Sequence, residues 1–333
     1  MFELSFIWAG IIAFAVLTYV ILDGFDLGVG ILFPLAGSER EKATMMNSIA
    51  PIWDGNETWL VLGGGGLFAV FPLAYAVIMP ALYMPIILML LALIFRGVAF
   101  EYRWRTERWK PVWDAAFFGG SLIAAFMQGI ALGALVQGIK VVDRAYAGGW
   151  WDWLSLFSIL TGLAVVVGYA LLGATWVILK TEGSLQRQMQ NRAWWLGAGT
   201  LGFIGIVSIL TPFQDPDYFS RWFNLPGSIF SVVMPGAMLG AAWALFSGLK
   251  TGKDGQPFLA AICIFVLCFI GIGISFYPNI VPPGLTIAEA AAPDKSLRFA
   301  LVGTVVLVPM ILAYTAYAYW VFRGKIDPAE GYH

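Results

Sequence analysis

Hydrophobic residues run in long unbroken stretches along this chain, with neither strand-like alternation nor a sustained amphipathic period. A membrane helix needs about 20 mostly apolar residues, and such stretches fall at 5–27, 52–72, 74–97, 114–138, 155–179, 193–212, 226–249, 258–278 and 299–322. As one helix, 52–97 would run about 70 Å at 1.5 Å per residue, beyond a ~30 Å hydrocarbon core. Phe71-Pro72 supplies a break there. The pattern predicts an all-α integral membrane protein with nine transmembrane helices. No connection is long enough for a soluble domain, and the longest, 279–298, is expected to be ordered by Pro282 and Pro283 rather than to be helical.

Composition agrees. The chain is 60% apolar and 12% charged, against roughly 25% charged in soluble domains, so most of its surface must face lipid. The opening residues, MFELSFIWAG, lack a basic segment and a cleavage site, so the first helix is expected to stay.

Charge orients the spans. With nine of them, one side receives Arg40, Lys42, Arg96, Arg103, Arg105, Arg108, Lys110, Lys180, Arg187, Arg192, Lys250, Lys253, Arg323 and Lys325. The other receives Lys140, Arg144, Arg221, Lys295 and Arg298. Basic residues gather on the cytoplasmic side, which predicts an outer N-terminus, a cytoplasmic C-terminus and the run from Arg103 to Lys110 as the strongest anchor. Trp and Tyr collect at span ends, Tyr317, Tyr319 and Trp320 among them, as interfacial belts do.

Candidate chemistry gathers at the cytoplasmic ends of the first three spans. Asp23 and Asp26 sit in Asp23-Gly-Phe-Asp-Leu-Gly-Val-Gly30. Carboxylates near hydrocarbon are costly and usually face a bundle interior, water or a partner; a helix leaving the membrane early would also account for them. In Pro51-Ile-Trp-Asp-Gly-Asn-Glu-Thr-Trp59, Asp54 reads either as a helix cap or as a proton-collecting mouth. Arg96, in Phe95-Arg-Gly-Val-Ala-Phe-Glu101, is placed to neutralise Asp54, Asp26 or Asp23. Gly197-Ala-Gly-Thr-Leu-Gly202 matches a dinucleotide fingerprint but lies inside a span, without the strand that pattern requires, and reads as packing material. The only histidine is His333, and Cys263 and Cys268 sit in an apolar run without metal spacing. The chain is therefore not expected to ligate a metal or a haem iron.

Taken in order, Asp23–Gly30, Asn47-Ser-Ile-Ala-Pro-Ile-Trp-Asp-Gly-Asn-Glu-Thr-Trp59 and Phe95–Arg103 resemble subunit II of the cytochrome bd quinol oxidases. Gly173-Ala-Thr175, Lys180-Thr-Glu-Gly183, Phe276-Tyr-Pro278 and Tyr319–Lys325 extend the likeness to the end of the chain. The resemblance implies two four-helix bundles, here 1–139 and 140–279, followed by an outer loop, a peripheral ninth helix and a tail over 280–333. It implies an obligate heterodimer in the bacterial inner membrane with subunit I, which holds the quinol site and the haems, haem b with either haem d or haem b at the active site. It leaves room for a small single-helix subunit and a structural quinone or lipid, and no nucleic-acid partner is expected. The complex would reduce O2 to water with protons from the cytoplasm, building a gradient by charge separation without pumping. Carried over by motif, Asp54 and Glu101 would line a proton route with Asp23, Asp26 and Arg96, and Trp59 would lie by an oxygen path; many relatives have Asp where Glu101 stands. The alternative from another class is a secondary transporter using its intramembrane carboxylates.

Overall fold

The computed structural model describes residues 3–224 and 228–326. His333 and the first two residues of the predicted 226–249 span lie outside them. In chain order the helices are α1 (Leu4–Leu32), α2 (Glu39–Ile49), α3 (Trp53–Val70), α4 (Pro72–Ala81), α5 (Tyr83–Tyr102), α6 (Lys110–Gln137), α7 (Leu156–Lys180), α8 (Gly183–Leu210), α9 (Pro216–Phe223), α10 (Ser228–Thr251), α11 (Gly255–Phe276), α12 (Ile287–Ala290) and α13 (Asp294–Val321). Two short antiparallel pairs, β1 (Val141–Val142) with β2 (Ala145–Tyr146) and β3 (Asn279–Val281) with β4 (Leu285–Thr286), complete the described chain.

Eight of these helices, α1, α5, α6, α7, α8, α10, α11 and α13, are long and apolar enough to cross a membrane. The predicted second span is α3, whose 18 residues open on Asp54, Asn56 and Glu57 and so are less apolar. It ends at Val70, and Pro72 starts α4, a first-turn position at which no backbone donor is missed. The predicted third span divides again at Leu82, because Pro85 has no N–H to offer the Ala81 carbonyl.

Three further differences follow from local chemistry. α1 runs to Leu32 and continues in a 3-10 turn over Phe33–Leu35, so Asp23 and Asp26 lie inside the helix, not beyond its exit. Ser38 accepts a hydrogen bond from the Glu41 backbone N–H and starts α2, a helix absent from the hydrophobic pattern because it is polar. The long connection over 279–298 forms a β pair, the one-turn α12 and an early start of α13 at Asp294. It is tied down by the Ala292 N–H on the Val70 carbonyl and by the Ile139 N–H on the Pro282 carbonyl.

The packing is centred on α1 and α7. They meet at Gly28 and Gly173: a Cβ on Gly28 would lie 2.7 Å from Gly173 N, and one on Gly173 would lie 2.5 Å from Val29 N. Only hydrogen fits, and in a bilayer such close backbone contact is a main source of helix association. α3 packs on α1, α5 on α6, α6 and α8 on α7, and α10 on α11. At Gly120 of α6 a Cβ would come within 3.0 Å of Arg96 N, so α5 is drawn in at the level of Arg96. α13 lies outermost, and among its described residues only Leu297 is buried.

Candidate functional site

Asp23 and Asp26, three residues apart, share one face of α1. Asn56 and Glu57 come from the first turns of α3, and Arg96 from α5. Arg96 Nη1 donates to Asp23 Oδ1 at 2.8 Å and to Glu57 Oε1 at 2.6 Å, while Nη2 stands 3.8 Å from Asp26 Oδ2. The Asn56 amide donates to Asp26 Oδ2 at 2.7 Å. Asp23, Asp26, Asn56 and Arg96 are buried, whereas the Glu57 side chain keeps 24% of its surface exposed. Trp53 and Phe100 stack at 4.9 Å, and the guanidinium lies 6.0 Å from each ring centre. An isolated ion in such surroundings costs several kcal/mol; here each finds a counter-charge, and three acids face one guanidinium.

A polar string leaves the cluster toward the middle of the bundle. Tyr19 lies one turn before Asp23 on α1 and is buried like it. Gln128 Nε2 of α6 donates to the Tyr19 hydroxyl at 2.9 Å, and the Tyr169 hydroxyl of α7 donates to Gln128 Oε1 at 2.7 Å.

The other proposed residues sit apart. Asp54 and Glu101 are exposed at the ends of α3 and α5 nearest the cluster. Among the described residues Arg96 pairs with Asp23, Asp26 and Glu57, not with Asp54. Trp59 is buried among Ala15, Tyr19 and partly buried apolar neighbours, edge-on to Phe14 at 5.9 Å, and its Nε1 makes no hydrogen bond.

Arg103 makes contacts that its place at a span end does not announce. Its side chain is fully buried and joins Asp114 Oδ1 at 2.5 Å and Glu39 Oε2 at 2.9 Å. Lys42 bridges the same acids, 2.9 Å from Asp114 and 3.0 Å from Glu39, which pins α2 across the ends of α5 and α6. The hydrogen bond from Lys42, then the nearby charges of Lys42, Arg103 and Lys110, hold the Glu39 carboxyl below the usual carboxylate range. The bond to Asp114, then that to Glu39, holds Lys42 above the usual lysine value.

Sequence reasoning passed over Glu57 as a site residue, and Tyr19, Gln128, Tyr169 and Tyr319 with it. Tyr319 reads as belt aromatic, yet its hydroxyl donates to Asn56 Oδ1 at 2.9 Å. Spacing gives no signal for it, since Asn56 and Tyr319 lie 263 residues apart.

The sequence model of one family, cytochrome bd terminal oxidase subunit II, matches residues 4–322. This chain belongs to that family. The match takes in every residue of the cluster. Cytochrome bd-I ubiquinol oxidase subunit 2 of Escherichia coli is 30% identical over 367 residues, covering 98% of this chain and 96% of that one. Cytochrome bd ubiquinol oxidase subunit 2 of Bacillus subtilis is 31% identical over 344 residues, covering 99% of each. The solved bd oxidase of Geobacillus thermodenitrificans shares the fold, with a TM-score of 0.79 at 17% identity over 96% of this chain and 98% of the other.

Cytochromes carry haem, and the donor set described here does not fit a haem iron. The described residues hold no histidine, and no group of three or more His, Cys, Asp or Glu side chains among them is arranged to hold a metal ion. Nor does the transporter alternative find its usual device, because α1 runs unbroken through Asp23 and Asp26.

Proposed function

We propose that the chain is the haem-free second subunit of a quinol:dioxygen oxidoreductase, working as an obligate heterodimer with a haem-bearing subunit I in the bacterial inner membrane. The full-length family match carries this reading. The buried cluster gives the subunit its chemical part. Asp54 and Glu101 collect protons at the cytoplasmic surface, Glu57 stands half-exposed at the threshold, and Asp23 and Asp26 hold protons beside Arg96. Three acids against one guanidinium leave carboxyl oxygens free to take a proton, and Asp23 Oδ2 and Asp26 Oδ1 accept no hydrogen bond. The apolar surroundings of Trp59 suit passage of O2. Reduction of dioxygen to water draws its protons through this route and separates charge without a pump.

In the same reading nine spans cross the bilayer, with α3 as the second and the kinked pair α4 and α5 as the third. The N-terminus is periplasmic and the C-terminus cytoplasmic, as the basic residues favour. The spans form a four-helix bundle over 1–139 and another over 140–279, joined at the α1–α7 seam, with α13 peripheral in 280–333. A small single-helix subunit, lipid or a structural quinone has room on the exposed faces.

Co-expression with subunit I tests the proposal. The purified pair is expected to show haem bands and quinol-dependent oxygen uptake, and this chain alone to be colourless. Haem bound by the lone chain, or activity without a companion, overturns it.

A further inference from the structure

α13 is the least embedded of the long helices, yet one of its side chains reaches the charged site. The Tyr319 hydroxyl donates to Asn56 Oδ1 at 2.9 Å, and Asn56 Nδ2 donates to Asp26 Oδ2 at 2.7 Å and to the Leu22 carbonyl at 3.4 Å. An amide has one accepting and one donating end, so whatever holds its oxygen decides which end Asp26 meets. Edge-on contacts with Phe25 and Trp176, at 6.4 and 6.2 Å between ring centres, fix the Tyr319 ring. The other charged groups facing Asp26 are Asp23 on its own helix, Arg96 from α5 and Glu57 from α3.

We propose that Tyr319 is a positioning residue for the acid cluster, holding the Asn56 amide with its N–H toward Asp26 and so linking the seat of the peripheral helix to the protonation of the site. The proposal rests on the proton-route reading above. Without the phenol, Asn56 Oδ1 is buried with no donor, and only the bonds from Nδ2 to Asp26 and the Leu22 carbonyl, the latter long at 3.4 Å, hold the amide in its present sense. Turned over, its oxygen meets Asp26 favourably only when that carboxyl carries a proton, because two facing acceptors repel.

The test is Tyr319→Phe in the assembled complex, with Tyr317→Phe, 62% exposed on the same helix, as control. Oxygen uptake is followed against pH with excess quinol, and haem content reports assembly. The Phe variant is expected to keep its haem while the acid limb of its profile moves to higher pH by on the order of one unit; the control is expected to superimpose on the parent. Replacement of Tyr319 by 3-fluorotyrosine, a stronger donor of almost the same shape, is expected to move the limb the opposite way, and it supplies the answer if the Phe variant does not assemble. A Phe profile equal to the parent's, or a fluorotyrosine limb that does not move, overturns the positioning role alone, provided that Asp26→Asn slows turnover. An Asp26→Asn variant with full turnover overturns the proton-route reading and this inference with it.

Discussion

Lys180 and Lys325 cap each other's helices. Lys180, the last residue of α7, donates to the Phe322 and Gly324 carbonyls just beyond α13, the latter at 3.1 Å. Lys325 donates back to the Thr181 carbonyl at 2.9 Å and the Ile178 carbonyl at 3.4 Å, at the end of α7, and pairs with Asp254. The last carbonyls of a helix lack intrahelical partners and carry the negative end of its dipole, so a lysine there satisfies both. This clasp secures one end of α13, and the Trp8 Nε1–H on the Leu297 carbonyl, at 3.1 Å, secures the other.

Removing half of the clasp should loosen that end selectively. A cap of this kind contributes about 0.3–1 kcal/mol, so in Lys325→Ala the amides of 319–326 and of the last turn of α7 are expected to exchange roughly two- to fivefold faster, with α1 and the rest of α7 unchanged. Hydrogen exchange read by mass spectrometry measures this. Equal protection at 319–326 in parent and variant would remove the clasp from the account.

Arg96 should tolerate change least. Arg96→Met leaves Asp23, Asp26 and Glu57 without their cation, and breaking a buried pair in this way costs about 3–5 kcal/mol. The variant is expected to assemble poorly, with a lower thermal inactivation temperature for whatever complex forms. Arg96→Lys keeps the charge but loses the fork that serves two acids from one nitrogen and a third from the other, so it should fall between. A Met variant as stable as the parent would mean that the acids are neutralised without it.

What could be read beforehand depended on the kind of force involved. Helix existence follows from apolar length, so the described part of each predicted run is largely helical, the third divided between α4 and α5 at Leu82, and the break before Pro72 follows from a missing donor. α2 stayed hidden because what holds it is tertiary: Arg103, Asp114 and Lys42 meet Glu39 only once α5 and α6 are packed. The acids of α1 and the arginine of α5 could be named, since charges in apolar surroundings stand out by themselves. Their partners could not. Glu57 carried no role of its own in the motif around Asp54, and Tyr319 looked like a belt aromatic, until the fold brought both to the same site. Arg103 shows the limit most plainly, because a basic residue at a span end reads as an anchor whether its side chain turns out or in.

Depth in the cluster should decide the effect of each acid on turnover. Asp54 and Glu101 are exposed, so water and neighbouring carboxylates can substitute for either, whereas Asp23 lies buried against Arg96. Asp54→Asn is expected to slow quinol-driven oxygen uptake severalfold with haem content intact, Glu101→Gln to slow it less, and Asp23→Asn to slow it most. Initial rates at saturating quinol, normalised to haem, give the order. An unaffected Asp54→Asn enzyme takes Asp54 out of the route, and a Glu101 effect larger than that of Asp23 would contradict the order of depth.

The attachment of α2 should depend on pH at both extremes. Glu39 has a lower pKa folded than unfolded, so its contribution is complete above the ordinary glutamate value of about 4.3 and disappears as pH falls through the depressed one. Lys42 has a raised pKa, so its contribution is complete below the ordinary lysine value of about 10.4 and is lost as pH rises through the elevated one. Between those limits Glu39, Lys42, Asp114 and Arg103 can keep their pairs. Because the Glu39 side chain is 58% exposed, water and salt screen part of this attraction. Hydrogen exchange over 39–49, corrected for intrinsic rates, is expected to be slow and level at neutral pH. It should quicken below about pH 4 and again above about pH 10.5, with added salt raising the neutral rate modestly. Protection that stays level from pH 3 to 11 would mean that α2 is held by the burial of Met45, Met46 and Ile49 alone, and that the ion pairs around Arg103 contribute nothing to its seat.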